Sequence, residues 1–382
     1  MIHNPEVIAT RAHWQALTRV PIQARTLPDP EVQLQEFTVG SPRPGAGYET
    51  SNFYYTGIGA SQEIPGPGKL RLRGEIAEQD AEVARHQYEA AQRSAAEKVR
   101  ENYFELFYLA RTAAMLEAER GDLEQIQNIA QAHYRVGEGQ AQDVIKSQLQ
   151  ATQILNAVEH HHREMQQRQI DLKAVLGRDP DSPDITIGDL QPTPVHVTPA
   201  ELESAVRSHS PEVGSDRAAE QRSEKALALA RRGYLPDFNV GYAYEKTGPG
   251  FPDYYMLTLG AKIPLYFWRK QTPAIDQAGL ELAAARSQTQ AGELDMSASA
   301  ADQLVAIHAS DRVLNIYRAG LIPQAENSMQ AALAAYRVSK IDFQTLISSF
   351  VDLLNLREEY YRELADREIA VAKLEQIAGD LK

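Results

Sequence analysis

Asp237-Phe238-Asn239-Val240-Gly241-Tyr242-Ala243-Tyr244-Glu245 places a large apolar residue at every second position, with Asn, Gly, Ala and an acid between them. That is the period of a β-strand with two unlike faces. Tyr255-Met256-Leu257-Thr258-Leu259-Gly260-Ala261-Lys262-Ile263 alternates likewise, with Tyr255, Leu257, Leu259 and Ile263 on one face. A weaker pair precedes it: Val32 and Leu34, then Phe37 and Val39 after a phase slip, and later Phe53, Tyr55 and Ile58. The spacing predicts strands at about 30–40, 53–64, 237–245 and 254–263, each near the length that a tilted strand needs to cross a hydrocarbon layer.

Apolar faces must be buried in something, either a second sheet or lipid. Two features favour lipid. Aromatic residues gather at the strand ends (Tyr54, Tyr55, Tyr254, Tyr255, and Tyr266-Phe267-Trp268 followed by Arg269 and Lys270), as in the girdles of membrane interfaces. The opposite faces carry Gly, Asn, Thr, Glu and Lys, as a wet lumen requires. Four strands do not close a barrel, and lipid does not tolerate an open edge. The missing strands must therefore come from further copies of the chain.

The strands sit inside a duplicated unit. His3-Asn4-Pro5-Glu6-Val7 recurs as His209-Ser210-Pro211-Glu212-Val213, and Leu27-Pro28-Asp29 as Leu235-Pro236-Asp237. Gln62-Glu63-Ile64-Pro65 is echoed by Ala261-Lys262-Ile263-Pro264, and Tyr134-Arg135-Val136 by Tyr336-Arg337-Val338. The anchors keep their order roughly 200 residues apart, so half the chain is repeated. Each half reads as an opening helix (5–25 and 211–232), two strands around a loop, and a long helical hairpin. The expected boundaries are 1–177 for the first repeat and 206–382 for the second. A Pro- and Asp-rich linker, 178–205, joins them, with room for one short strand. The hairpin tips fall at 135–143 and 337–345.

From Glu75 to Arg120 there is neither Gly nor Pro, and helix formers dominate. Continued to Arg135, this helix would span about 90 Å at 1.5 Å per residue. Its apolar residues (Ile76, Val83, Val99, Tyr103, Leu106, Met115, Leu123, Ile126) are sparse and padded with Ala, which suits helices packed side by side in a coiled-coil-like wall.

Composition removes other classes. The net charge is −13, against the basic surface that nucleic acid demands and against docking on anionic lipid headgroups. There is no cysteine, so thiolate metal sites, disulfides and thiol nucleophiles are excluded. No apolar run reaches the length of a transmembrane helix.

Several stretches together resemble the TolC-type outer-membrane efflux family: Asn4-Pro5-Glu6-Val7, Leu27-Pro28-Asp29-Pro30, Ser61-Gln62-Glu63-Ile64-Pro65-Gly66-Pro67-Gly68-Lys69-Leu70, Tyr134-Arg135-Val136-Gly137 with Asp143-Val144-Ile145, and Ile322-Pro323-Gln324-Ala325-Glu326 leading to Tyr336-Arg337-Val338. The resemblance covers nearly the whole chain. It implies a mainly α fold with a small membrane β part. Three protomers would build a twelve-stranded barrel, four strands from each, above a helical tunnel in the periplasm. It further implies an inner-membrane pump and a periplasmic adaptor as partners, and no cofactor. The stretches Ile64–Leu70 and Leu321–Gln324 look most like the branch associated with heavy-metal efflux. Met1-Ile2-His3-Asn4-Pro5 lacks the basic and apolar regions of a signal peptide. The outer-membrane location that the resemblance implies is therefore expected of a truncated or processed chain.

The same resemblance assigns roles at the tips. Val136, Gly137 and Glu138, with Val338, Ser339 and Lys340, would form the periplasmic mouth and receive the adaptor. Asp143, Gln142 and Tyr336 would form the gate, with the Tyr336 phenol bonded to the Asp143 carboxylate across the helices. The alternative for Asp143 is a helix cap. Here the glycine of the second tip is Ser339, Ile341 stands where some members carry a gating Arg, and Thr345 and Ser348 stand at positions of an aspartate ring. A salt-bridge latch and a cation-binding ring are thereby put in doubt.

Other patterns fail on geometry. In His160-His161-His162, neighbours on a helix point about 100° apart, so the three cannot share one ion, and the run is expected on the surface. Gly66-Pro67-Gly68-Lys69 is no phosphate loop: the prolines remove N–H donors, and Leu70 stands where Ser or Thr would bind magnesium. It reads as a rigid corner from strand to helix. Gly57-x-Gly59 lacks the third glycine of a dinucleotide fingerprint and reads as relief of crowding inside the barrel. No nucleophile or metal motif is present, so no enzyme is expected. The rival reading is a soluble periplasmic coiled-coil adaptor or scaffold, but two hairpins and strands of membrane length weigh against it.

Overall fold

The computed structural model describes residues 3–37, 54–248 and 250–379. Val39, Phe53 and the outer ends of the first two expected strands (38–40 and 53) lie outside the described residues. The chain forms two compact units. One comprises Met1–Thr10, Tyr88–Val213 and Glu293–Lys382; the other comprises Arg11–Gln87 and Gly214–Gly292.

The second unit contains the sheet. Strands β1 (Glu31–Phe37), β2 (Tyr55–Ile64), β3 (Asp237–Thr247) and β4 (Tyr254–Lys262) lie in sequence order, each antiparallel to the next. Two strands come from each repeat, and the repeats meet where Gly59 pairs with Ala243 along β2 and β3. Beside the sheet, parts of the helices α3 (Lys69–Arg135), α6 (Pro211–Arg231) and α7 (Gln271–Ile316) pack through small residues such as Ala77, Ala81 and Ala84. Seams so thin bury little apolar area, and ion pairs bridge them: Arg222–Asp80 at 2.6 Å, Lys225–Glu75 at 3.0 Å and Arg286–Glu224 at 2.8 Å. The short α2 (Val20–Arg25) is tied to α3 by Arg25–Glu78 at 2.7 Å.

The first unit is helical. Pro5 and Pro211 open α1 (Pro5–Leu17) and α6, a position where a missing N–H costs nothing. The Asn4 side chain accepts from the Glu6 and Val7 amides and donates to the Val175 carbonyl, the end of α4 (Ala141–Val175). Val7 and its counterpart Val213 are both buried. The hairpins α3/α4 and α8 (Ile322–Arg337)/α9 (Phe343–Ala378) share one core around Leu123, Ile126, Ile154, Leu346 and Phe350. A π-helical turn, Tyr317–Leu321, joins α7 to α8, just ahead of Pro323. Pro323 has no N–H to give and would crowd the preceding turn of a regular helix, which the wider turn relieves.

The linker differs from expectation. Residues 183–198 form no strand. They run as a strap pinned by side chains, with Gln169 bonded to Ile185, Lys173 to Asp184, the Gly188 amide to the Tyr103 hydroxyl, and Thr193 to Glu368. The strap leads into a helix, α5 (Pro199–His209), whose Thr198 and Glu201 form a capping box. Of the expectation for 178–205, only the short strand is corrected. These residues pair with side chains rather than with a neighbouring strand, and Leu202 and Val206 bury a helical stripe beside Leu304, Ile307 and Leu374.

Candidate functional site

The register of the sheet sorts every residue onto one of two faces. One carries Val32 and Leu34; Ile58, Ala60, Gln62 and Ile64; Phe238, Val240, Tyr242 and Tyr244; and Tyr255, Leu257, Leu259 and Ala261. These side chains are solvent-facing within the chain: Leu34 is 83% exposed, Leu257 65% and Leu259 73%. Apart from Gln62, whose side-chain amide donates to the Pro28 carbonyl at 2.7 Å, the face is apolar, and an exposed apolar face marks contact with lipid or protein. Glu36, Thr56 and Lys246 form a polar row that bounds it at the loop end.

The other face is Glu31, Gln33, Gln35 and Phe37; Tyr55, Gly57, Gly59, Ser61 and Glu63; Asp237, Asn239, Gly241, Ala243 and Glu245; and Tyr254, Met256, Thr258, Gly260 and Lys262. It is polar and lined with small residues. A Cβ on Gly57 would lie 2.8 Å from Glu245 Cγ, and one on Gly59 would lie 3.1 Å from Ala243 Cβ. The glycines thus make room for the facing strand. At the helical end of this face a cavity of about 410 Å³ is lined by Asp29, Glu31, Glu63, Asn239 and Lys262 among others.

The corner from β2 to α3 is held by charge. Lys69 Nζ lies 2.7 Å from Asp237 Oδ1 and donates to the Leu235 carbonyl at 2.9 Å, while the Gly66 amide donates to the same Asp237 oxygen at 2.7 Å. Gly68 takes φ +78, a left-handed conformation, and Arg232 covers it with a bond to the Pro67 carbonyl.

In the helical unit the two tips meet at a cavity of about 320 Å³, lined by His133, Glu138, Gln142, Asp143, Lys146, Tyr336, Phe343 and Gln344 among others. The tips touch through Ser339 Oγ and Glu138 at 3.4 Å, and through Lys146 Nζ and Gln344 at 2.7 Å. Gly137 and Ser339 occupy equivalent turns, with φ +80 and +55, so the serine accepts a conformation that its counterpart leaves to glycine. Asp342 caps α9 through the Thr345 amide at 2.8 Å. Tyr336 is 4% exposed and packed on Phe343 and His133, and its hydroxyl has no hydrogen-bond partner among the described residues. Burial and the nearby Asp143 carboxylate push the phenol up to about 12, so it stays a donor.

Comparison with known proteins accounts for this pairing of sheet and hairpins. A model of the family described as "Outer membrane efflux protein" matches residues 2–178 and 202–380, one match per repeat. The chain belongs to the outer membrane efflux protein family. In fold, this family member is similar to the outer membrane protein VceC from Vibrio cholerae, at TM-score 0.83 and 15% identity over 100% of this chain and 94% of that one. It is similar also to CusC, at TM-score 0.85 and 13% identity over 99% and 90% of the two chains. A third similar structure is the open state of the Neisseria gonorrhoeae MtrE outer membrane channel, at 0.80 and 15% over 99% and 87%. No protein among curated sequences matches the chain.

Within this efflux-family chain the expected gate residues come together, but not as expected. Asp143 accepts from the Gln140 amide at 3.3 Å, as the acidic member of the capping box that opens α4. Among the described residues the Tyr336 hydroxyl makes no hydrogen bond, to Asp143 or to any other group. Gln142 lines the same cavity. Val136, Gly137, Glu138, Val338, Ser339 and Lys340 are exposed at the tips. Of the expected interface aromatics, Tyr255 lies on the apolar face, Tyr55 and Tyr254 lie on the polar face, and Phe267 and Trp268 follow β4. Tyr54 precedes β2, where it packs against Gly248.

The histidine run is corrected in part. His160 and His162 face outward, but His161 is 7% exposed, edge-on to Tyr108 and 3.9 Å from Glu358. Its environment comes from α3 and α9, so neighbouring residues in sequence gave no sign of it. Among the described residues no cluster of His, Asp and Glu could hold a metal ion. Sequence reasoning missed the Lys69–Asp237 pair, which joins residues 168 apart.

Proposed function

We propose that three copies of this chain close into an all-antiparallel barrel of twelve strands in the outer membrane, and that the hairpins form a periplasmic tunnel fed by an adaptor and an inner-membrane pump. The observation that carries this is the four-stranded sheet with one exposed apolar face, one polar face and two open edges. Because β1 and β4 run antiparallel, β4 of one copy can pair with β1 of the next without breaking the pattern. Lipid then covers the apolar face, neighbours satisfy the edges, and the polar face lines the passage. Each repeat, 1–177 and 206–382, supplies two strands and a hairpin, joined through 178–205.

The duct is passive and carries what its pump delivers. Membership of the heavy-metal branch is proposed on Ile64–Leu70 and Leu321–Gln324. At the mouth, Asp143, Gln142 and Tyr336 act as the gate. The phenol is an unused donor beside a carboxylate with spare acceptor capacity, so closure of the tips makes the Tyr336–Asp143 bond, and docking of the adaptor on Val136–Glu138 and Val338–Lys340 releases it.

The test exploits the absence of cysteine. Gln33→Cys combined in turn with Met256→Cys, Thr258→Cys or Gly260→Cys puts one thiol on each edge strand. Mild oxidation should yield a covalent trimer from at least one pair. A chain that stays monomeric and soluble without detergent defeats the proposal.

A further inference from the structure

The chain carries thirteen more acidic than basic charges, yet cations gather where β4 turns into α7. The segment Leu265-Tyr266-Phe267-Trp268-Arg269-Lys270 is exposed throughout, with Leu265 and Tyr266 each about 70% accessible. Among the described residues neither Arg269 nor Lys270 is paired with a carboxylate. The corner is nonetheless built: Tyr234 packs on Phe267 and bonds Thr272 at 2.9 Å, and the Arg269 and Lys270 amides both bond the Tyr266 carbonyl. Arg231 and Arg232 lie three and two residues before Tyr234 and add to the positive charge. The corresponding corner of the first repeat, Pro65-Gly66-Pro67-Gly68, has no aromatic residue and spends Lys69 on Asp237. Closing a barrel does not require this difference between the repeats.

Ile263 continues the phase of Tyr255, Leu257 and Leu259, so the apolar face runs off the end of β4 into the aromatic segment. The cations follow directly, on the side of the sheet that leads into the helices. Aromatic side chains at headgroup level, with Arg and Lys just beyond, match the layering of a phospholipid leaflet from acyl chain to phosphate. We propose that this corner selects anionic glycerophospholipid headgroups in the leaflet on the helical side of the membrane, with Arg269 and Lys270 on the phosphate and Tyr266 and Trp268 at the acyl boundary. The proposal rests on the membrane reading given above.

Trp268 reports on it directly. The chain has two tryptophans, so Trp14→Phe leaves Trp268 as the sole indole. The full-length Trp14→Phe protein is reconstituted in phosphatidylcholine–phosphatidylglycerol vesicles in which one lipid or the other is brominated high on its acyl chains. Brominated phosphatidylglycerol should quench Trp268 on the order of twofold more than brominated phosphatidylcholine at equal mole fraction. The difference should vanish in Arg269→Gln/Lys270→Gln and in 1 M salt, where charges are screened within about 3 Å. Equal quenching by both lipids overturns the headgroup selection while leaving the membrane reading intact. No quenching by either overturns the membrane reading itself.

Discussion

Lys69 Nζ and Asp237 Oδ1 lie 2.7 Å apart, with the lysine 8% exposed, and this pair ties the first residue of α3 in one repeat to the first residue of β3 in the other. It does what the Pro-Gly corner cannot do alone. The backbone of 65–68 sets the direction of the chain, and the ion pair fixes that corner to the neighbouring strand.

Lys69→Met should therefore lower the stability of the sheet unit by about 2 kcal/mol, because Asp237 loses its ion pair and keeps the Gly66 amide and the more distant Lys262. Asp237→Asn should cost less, since the amide oxygen still accepts from Gly66. A double-mutant cycle on the thermal midpoint in detergent should return a coupling of about 1 kcal/mol or more. Additive effects would mean that the pair is ornamental.

The two faces of β4 give the second prediction. Leu257 and Thr258 are adjacent, but Leu257 lies with Val240 and Leu259 while Thr258 lies with Gly241 and Ser61. Leu257→Arg should cost about 2–4 kcal/mol and abolish assembly in bilayers, while Thr258→Arg should assemble and change only ion selectivity. Folding yield in vesicles and planar-bilayer conductance separate the two. A soluble sheet packed on protein would also suffer from Leu257→Arg, but neither variant would then change conductance across a bilayer.

Tyr336→Phe probes the gate. The buried hydroxyl has no hydrogen-bond partner among the described residues, so its removal should leave the helical unit equally stable or up to about 1 kcal/mol more stable. If closure makes the Tyr336–Asp143 bond, the same change should raise the open probability of the resting channel roughly tenfold, the worth of one charge-assisted hydrogen bond. Single-channel recording reads the second effect and thermal unfolding the first. An unchanged open probability would leave the phenol as packing for His133 and Phe343 alone.

Features that repeat or alternate were legible in the sequence; features made by distant partners were not. The alternation of β3 and β4 and the doubled motifs specify strands, repeats and hairpins, because period and duplication are local properties. Helix α5 was passed over: Thr198-Pro199-Ala200-Glu201 carries a capping box, but the Pro-rich stretch leading to it reads as linker. The buried state of His161 depends on Tyr108 and Glu358, and the burial of Tyr336 on His133 and Phe343. Such contacts follow from packing and have no signature in spacing.

His161 should make the helical unit sensitive to acid. Burial lowers its affinity for a proton, opposed by Glu358 of α9 and Glu164 of its own helix, while His160, His162 and Arg362 add positive charge nearby. The folded state thus binds this proton less readily than the unfolded chain. Its contribution to stability is present above the unfolded value of about 6.5 and is lost as pH falls from there through the folded value. Thermal midpoints measured from pH 8 to 5 should decline below about pH 6.5, and His161→Phe, which keeps the edge-on contact with Tyr108, should flatten that decline.

Gly57 and Gly241 separate crowding from mere smallness on the polar face. A Cβ at Gly57 would sit 2.8 Å from Glu245 Cγ and 3.0 Å from the Tyr244 carbonyl, whereas one at Gly241 finds its nearest neighbour at 3.5 Å. Glu245 is 7% exposed and has little freedom to withdraw. Gly57→Ala should therefore destabilise the sheet by about 1–3 kcal/mol, as overpacking does, while Gly241→Ala should be neutral or slightly stabilising. Pairing Gly57→Ala with Glu245→Ala, which removes the obstructing Cγ, should restore most of the loss. Heat-induced dissociation of the reconstituted protein reads all three, and failure of the rescue would place the strain at the backbone carbonyl instead.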